Sequence, residues 1–383
     1  MAVSNQDILN AVNDMVQYFD HDDERRHNAE IRQGAANVLC QKLMISMQNS
    51  RQYHRKIPDM QEQYGTLGDL VLIGRICKAF RFVYRCSAAI KEESFRAIGL
   101  ELLPLLSRVV STCLFALPER PNDVVRGPSS QMTVDHPEIG ALEGALGALR
   151  NLSSVASAEK LMSNYDGFFD LLLKVENYDN VTIDAKVNCL NVIVNLAHCY
   201  ENKATMVKNQ RLLDMLVKHA NHEEDMLRNA AACGLQNITA HDGNILIIIK
   251  HDGIIQAVLD LLRDKNFETR EFAAGTIQNL SVSKKNSFPL VTFKGGRVVI
   301  ELLKVISADS HDTVRNRSMW AMSNLICADT LFIIKLDGLV DTLAVAAAKD
   351  SIEDTRIQAA LILKSCLSLL LVRLERFEQR HVN

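Results

Sequence analysis

Five times along this 383-residue chain a short apolar string returns with an asparagine at its centre. Leu149-Arg150-Asn151-Leu152-Ser153 is followed by Ile193-Val194-Asn195-Leu196-Ala197, then Leu235-Gln236-Asn237-Ile238-Thr239, Ile277-Gln278-Asn279-Leu280-Ser281 and Met322-Ser323-Asn324-Leu325-Ile326. The asparagines stand 44, 42, 42 and 45 residues apart. A period of this size constrains the fold more than any other feature. A unit that short cannot bury an apolar face alone, so it must stack on copies of itself.

The spacing within each unit is helical. Counting back from the Asn, the residue at −2 is apolar and the residue at −6 is small (Ala145, Cys189, Ala231, Ala273, Ser318). Together with the apolar residue at +1 these lie on one face of an α-helix. Position −9 is basic in four units: Lys186, Arg228, Arg270 and Arg315. An acid precedes it (Asp184, Asp225, Glu268, Asp312), suited to the exposed amides of a helix N-terminus. Farther upstream a second apolar helix is opened by Gly167, Gly253, Gly296 or Gly338, with Arg211 replacing the glycine once.

The register extends outward in weaker form. Arg356 through Cys366 makes another unit, with Ser365 at the Asn position. Towards the N-terminus, Val83-Tyr84-Arg85-Cys86-Ser87 keeps the pattern with Ala79 at −6, and Lys42 takes the Asn position one unit earlier. Gly99 begins a second helix, after which about 25 surplus residues intervene. They form the stretch 114–136, which holds three of the chain's seven prolines and is followed by Pro137, so it reads as an inserted loop. The resulting layout is an N-terminal helix (Ile8–Phe19) and charged linker over 1–29, degenerate repeats over 30–113, the loop 114–136, clear repeats over 137–372, and a polar tail over 373–383.

Composition agrees by exclusion. Gly (17) and Pro (7) are scarce and aromatics are 5%, too little turn chemistry for a protein of many short strands. Lys+Arg (43) and Asp+Glu (46) balance, and evenly along the chain, so no basic domain points to nucleic acid. Nine cysteines, an odd number with no CxxC pair, read as small core residues of a reducing compartment. With no basic-then-apolar leader and no uncharged run long enough to span a bilayer, Ser365–Val372 being far too short, the expectation is a cytoplasmic protein, with the nucleus also open.

On these residues the chain resembles the armadillo repeats, most closely over Asp252–Leu262 and Arg270–Ser281, strongly over 140–370 and weakly over 30–110. The resemblance implies an all-α, right-handed α-solenoid of about eight three-helix repeats, with the third helices lining a concave groove. It also implies that the Asn column is the functional set, each carboxamide offering a donor and an acceptor to the main chain of an extended partner segment. Carried over, the partner-binding residues are Asn151, Asn195, Asn237, Asn279 and Asn324. The competing interpretation is that each Asn only satisfies backbone groups within its own solenoid.

Two departures refine this. Import adaptors of this superfamily carry Trp at −4 in most repeats, but here that column reads Gly147, Asn191, Cys233, Gly275 and Trp320. A single Trp cannot form an array that clamps lysine stems, which disfavours a nuclear transport adaptor. At the other end Arg85 takes the Asn position, Arg81 the −4 position, and Lys78 lies a turn earlier. A groove opening on these residues suits an acidic or phosphorylated segment.

Other constellations are weaker. The basic −9 column reads as local ion pairs rather than a phosphate track. His219 through Asp225 has metal-like spacing but no second ligand pair, and reads as a polar turn. His241-Asp242-Gly243 and His251-Asp252-Gly253 read as turn chemistry, and no phosphate loop, nucleophile elbow or HExxH occurs. The expectation is a non-catalytic protein-protein interaction scaffold with no cofactor and no metal. The alternative is a regulator of a small GTPase, or a cytoskeletal assembly factor, that grips a folded domain.

Overall fold

The computed structural model describes residues 10–14, 35, 37–42, 67–83, 88–117, 137–178, 180–326, 333 and 335–381. Among them the regular structure is helical, without strands. The chain divides into two units, Met1–Asn202 and Lys203–Asn383. In the first, α1 is Leu67–Val83, α2 Ala88–Ala116, α3 Pro137–Ser153, α4 Ala156–Ser163, α5 Phe168–Asn177 and α6 Ile183–Leu196; α7 is Tyr200–Met206. In the second, α8 is Gln210–Ala220, α9 Asp225–Thr239, α10 Ile245–Lys250, α11 Ile254–Leu261, α12 Phe267–Ser281, α13 Ser287–Thr292, α14 Arg297–Ala308, α15 Asp312–Leu325, α16 Leu339–Lys349 and α17 Glu353–His381.

The helices come in threes, short then two longer, and the third helix carries the Asn. Third helices pack on third helices: α3 on α1 and α6 on α3 in the first unit, α12 on α9, α15 on α12 and α17 on α15 in the second. The small −6 residue makes this possible, since Ala145, Cys189, Ala231, Ala273 and Ser318 are all buried. The glycines before the second helices are needed for their backbone. Gly167, Gly253, Gly296 and Gly338 sit at φ of 70°, 88°, 94° and 78° as N-caps of α5, α11, α14 and α16. The unit with Arg211 instead caps α8 by another device, the Asn209 side chain accepting from the Leu212 amide.

A second asparagine column, seven residues after the first, was not read from the sequence. Asn202 donates from Nδ2 to the carbonyls of Leu196 and Glu159, and Asn244 to those of Ile238 and Lys203. Both are buried. Each closes the end of a third helix and ties the following first helix to the one before.

Three boundaries differ from expectation. Gly99 lies inside α2, which is one helix from Ala88 to Ala116 with Pro104 within it. The insertion therefore begins later than residue 114, because Cys113 and Leu114 are core residues of α2; residues 118–136 lie outside the described set. At the other end, α17 continues through His381 where a polar tail was expected. Residues 373–381 contain neither Gly nor Pro to stop a helix.

Candidate functional site: a polar strip on the third helices

In the second unit the third helices present one repeated strip. The half-buried residues of α9 include Asn229, Cys233, Gln236 and Asn237, those of α12 Glu271, Gln278 and Asn279, and those of α15 Asn316, Trp320, Ser323 and Asn324. These are positions −8, −4, −1 and 0 in each helix. One step, at Gly275, has no side chain, and the Gln236 carboxamide occupies the space where a Cβ would stand.

The Asn column has a structural duty that the sequence reading weighed only as a competitor. Asn195 donates from Nδ2 to the Arg150 carbonyl (3.0 Å) and to Ser153 Oγ (3.0 Å). Asn279 does the same to the Gln236 carbonyl (3.1 Å) and Thr239 Oγ1 (3.2 Å), and Asn324 to the Gln278 carbonyl (3.5 Å) and Ser281 Oγ (3.3 Å). A carbonyl only accepts, so the amide nitrogen must face it. Each Asn thus reaches positions −1 and +2 of the preceding third helix. The Oδ1 atoms of Asn195, Asn279 and Asn324 accept no hydrogen bond among the described residues and remain available. Asn151 and Asn237 occupy the same half-buried position in α3 and α9.

Trp320 is also engaged. Its indole N–H donates to Asp354 Oδ2 at 2.7 Å, and Asn316 Nδ2 donates to the same oxygen at 3.0 Å. The Asn316 and then the Trp320 hydrogen bond hold the Asp354 carboxyl below the usual carboxylate range. The indole is therefore fixed beside a carboxylate contributed by the next third helix.

The basic −9 column resolves into ion pairs, as read, but with a partner that was missed. Arg228, Arg270 and Arg315 each donate from Nη1 to carbonyls of their own second-to-third helix turn, at His222 and Glu223, Asp264 and Lys265, and Asp309. Each also reaches the next repeat: Arg228 to Asp264 (2.5 Å), Arg270 to Asp309 (2.6 Å) and Arg315 to Asp350 (2.8 Å). The three acids accept a backbone amide two residues on, from Asn266, His311 and Ile352. Burial opposes ionisation of Asp309, but the Arg270 guanidinium and the His311 backbone amide together outweigh it, and the carboxyl stays below its ordinary range. The signal was present in the sequence: Asp264, Asp309 and Asp350 each lie six residues before Arg270, Arg315 and Arg356.

The basic end of the first unit sits in a different register from the one expected. Where the strip is clear, position −8 of one third helix meets position −10 of the next, as in Asn229 with Thr269 and Asn316 with Thr355. In the first unit Gly74 of α1 lies against Ala141 of α3, at −10, where a Cβ on Gly74 would come within 3.1 Å of the Ala141 nitrogen. Gly74 is then position −8. That puts Lys78 at −4, Arg81 at −1 and Phe82 at the Asn position, three residues from the expected alignment. The glycine-to-backbone contact, invisible in a single sequence, sets this slide. Lys78 is exposed on α1, Lys42 is half-buried, Arg81 lies on α1 with its side chain outside the described set, and Arg85 lies outside it altogether.

The remaining candidates are structural. His219 is fully buried near the end of α8 rather than in a polar turn, while His222 Nδ1 accepts from the Glu224 amide. His241 Nδ1 accepts from the Gly243 amide as turn chemistry predicts, and His251 Nε2 lies 3.1 Å from Asp214. Among the described residues no group of three His, Cys, Asp or Glu could hold a metal ion. Cys77 and Cys189 are core thiols, and burial pushes Cys77 up to about 12.

Comparison with known proteins fits this architecture. A family model for the Armadillo/beta-catenin-like repeat matches residues 241–282, the span that contains α10, α11 and α12. A designed armadillo repeat protein superposes with a TM-score of 0.52 at 16% identity, over 75% of this chain and 100% of that one. A computationally designed armadillo repeat protein for modular peptide recognition gives 0.52 at 18% identity over 68% and 99%. A third, designed and in complex with the peptide (KR)4, gives 0.51 at 16% over 74% and 100%. The fold is an all-α repeat solenoid. Within it residues 241–282 match the armadillo repeat model, and the fold is similar to that of designed armadillo repeat proteins.

Proposed function

We propose that the third-helix strip of the second unit binds an extended segment of a partner protein, and that the chain serves as a non-catalytic binding scaffold inside the cell. The observation that carries this is the recurrence of half-buried, mostly polar groups at −8, −4, −1 and 0 on α9, α12 and α15. The free Oδ1 acceptors of Asn279 and Asn324 can take main-chain N–H groups. Gln236 and Gln278 add both donors and acceptors. Similar designed armadillo proteins were made for peptide recognition or hold (KR)4, which supports an extended ligand.

Side-chain selection follows from the ends. Trp320, fixed by Asp354, offers a ring face beside a carboxylate, suited to a Lys or Arg of the ligand; cation–π contacts at such sites are worth about 0.5–2 kcal/mol. In the first unit Lys78, Arg81 and Arg85 suit an acidic or phosphorylated segment. One observation favours the alternative of a folded-domain partner: the Nδ2 donors of the column are already used within the solenoid.

The test begins with a random 12-residue peptide library displayed against the full chain. Emission of Trp320, the chain's one tryptophan, then reports binding of enriched peptides. Gln278→Ala and Trp320→Ala, the latter followed by anisotropy of labelled peptide, should each weaken binding about tenfold, roughly 1.4 kcal/mol. Asn→Ala is the poorer probe, since it also removes bonds between repeats. Failure to enrich any linear peptide would favour the folded-domain partner.

A further inference from the structure

We infer that α17 is a self-association helix, its outer apolar face pairing with the same face of a second copy of this chain. α17 spans 29 residues, against 14 or 15 for α9, α12 and α15. Its inner face is that of an ordinary third helix: Thr355, Gln358, Ala359, Ile362 and Cys366 are buried, and the helix packs on α15 and α16. Its outer face is largely apolar, broken by Lys364 and Ser368. Ile357 (48%), Leu361 (47%), Leu367 (59%), Leu370 (39%), Leu371 (51%) and Val372 (44%) are exposed. At 100° per residue Ile357, Leu361, Leu367 and Leu371 fall opposite the buried stripe, with Leu370 and Val372 to either side. Other exposed large apolar side chains are scattered over many elements, whereas these six share one helix. A helix apolar on both faces is a helix meant to be covered on both.

The sequence says what kind of surface covers it. Ile357, Ala360, Leu367, Leu371 and Leu374 fall at the alternating three- and four-residue spacing of a helix-pairing seam, interrupted once by Lys364. The residues that follow the exposed patch alternate in sign, Arg373, Glu375, Arg376, Glu378 and Arg380. Such a stretch is close to self-complementary: it repels neither itself nor an identical helix, and it favours neither a strongly acidic nor a strongly basic partner. A two-fold pair places the same patch on both sides, which a seam and mixed charges of this kind satisfy. By length and composition Glu353–Val372 could also cross a membrane. Its first turns are instead fixed to protein, with Asp354 accepting from Trp320 and Asn316, and that argues for a helix partner over lipid.

Sedimentation equilibrium of the full chain over about 1–100 µM tests this. The wild type should move from 42.8 kDa towards twice that mass as concentration rises. Leu367→Glu/Leu371→Glu, at two side chains exposed in the single chain, should keep its helical circular dichroism and weaken the dimer at least tenfold. If that variant precipitates, Leu367→Ala/Leu371→Ala must weaken it by the same factor. A wild type that stays at 42.8 kDa throughout overturns the inference. So does a dimer untouched by either variant, or a monomer that floats with phosphatidylcholine vesicles and loses that binding on substitution. Peptide binding at the third-helix strip is read separately, by Trp320 emission, so failure of one reading leaves the other standing.

Discussion

Residues 203–383 join successive repeats through the ion pairs Arg228–Asp264, Arg270–Asp309 and Arg315–Asp350, whereas residues 1–202 use close helix contacts and hydrogen bonds in which at most one partner is charged. In the first unit Gly74 and Gly144 bring α1 and α3 together, and beside the Asn195 and Asn202 bonds the polar links include Thr182 to Glu143 (2.6 Å) and Arg150 to Asn188 (3.1 Å). Lys186, at the −9 position of α6, forms no ion pair among the described residues. One helical stack can therefore be held by charge at its turns or by glycine at its crossings. The two solutions should fail under different insults.

The largest expected effect is at the charged turn. Arg270→Ala strips Asp309, 6% exposed at its side chain, of its partner and leaves the Asp264 and Lys265 carbonyls short of a donor. We expect a loss of about 3 kcal/mol in urea unfolding, confined to the transition of the second unit. Next is the glycine crossing. A Cβ on Gly144 would stand 3.1 Å from the Lys78 nitrogen and 3.2 Å from the Gly74 carbonyl, both backbone, so Gly144→Val should cost the first unit about 2 kcal/mol. Gly275→Ala makes the opposing case. Its Cβ meets the end of the Gln236 side chain, which can swing away, and the gain in helix propensity offsets the strain, leaving stability within about 1 kcal/mol.

The Asn column falls between the two glycine cases. Asn279→Ala loses two donated bonds, at about 1 kcal/mol each or less. Asn279→Asp should be worse than Ala, because it sets an acceptor against the Gln236 carbonyl; equal melting temperatures would show that the bonds contribute little. The acid response also separates the units. Asp309 is held below its unfolded value, so its contribution is present above the unfolded carboxylate pKa of about 4 and is lost as pH falls through the lower folded value. Arg270→Met should flatten the acid dependence of the second unit's unfolding below about pH 4, and leave that of the first unchanged.

The repeat was legible because each third helix solves the same packing problem with the same side chains. Asn at 0, a small residue at −6 and apolar residues at −2 and +1 are consequences of one crossing, repeated. Even the partners of the column were in plain sight, since Ser153, Thr239 and Ser281 stand at +2 in the strings that define the period. Without coordinates nothing says that they receive the Asn of the following repeat. Asp264, Asp309 and Asp350 were legible as a six-residue interval and went unread, because an acid in a turn is so often only solvated. The register of Lys78, Arg81 and Arg85 was not legible. With no Asn to anchor it, it depends on how far α1 slides along α3, and that is set by two glycines with about 70 residues between them. The uncovered face of α17 was hidden for another reason: its leucines fit a core helix equally well, and only its packing on α15 and α16 shows which of them are already used.

The central claim is that the third-helix strip reads the main chain of an extended ligand. The most direct measurement is a Trp320 emission titration with a peptide selected on the protein, against the same peptide N-methylated at alternate residues. If the Oδ1 atoms of Asn279 and Asn324 take ligand N–H groups, one of the two methylation patterns should weaken binding at least tenfold and the other much less. Equal affinity for all three peptides would contradict main-chain recognition and leave the strip as a surface that holds its own repeats together.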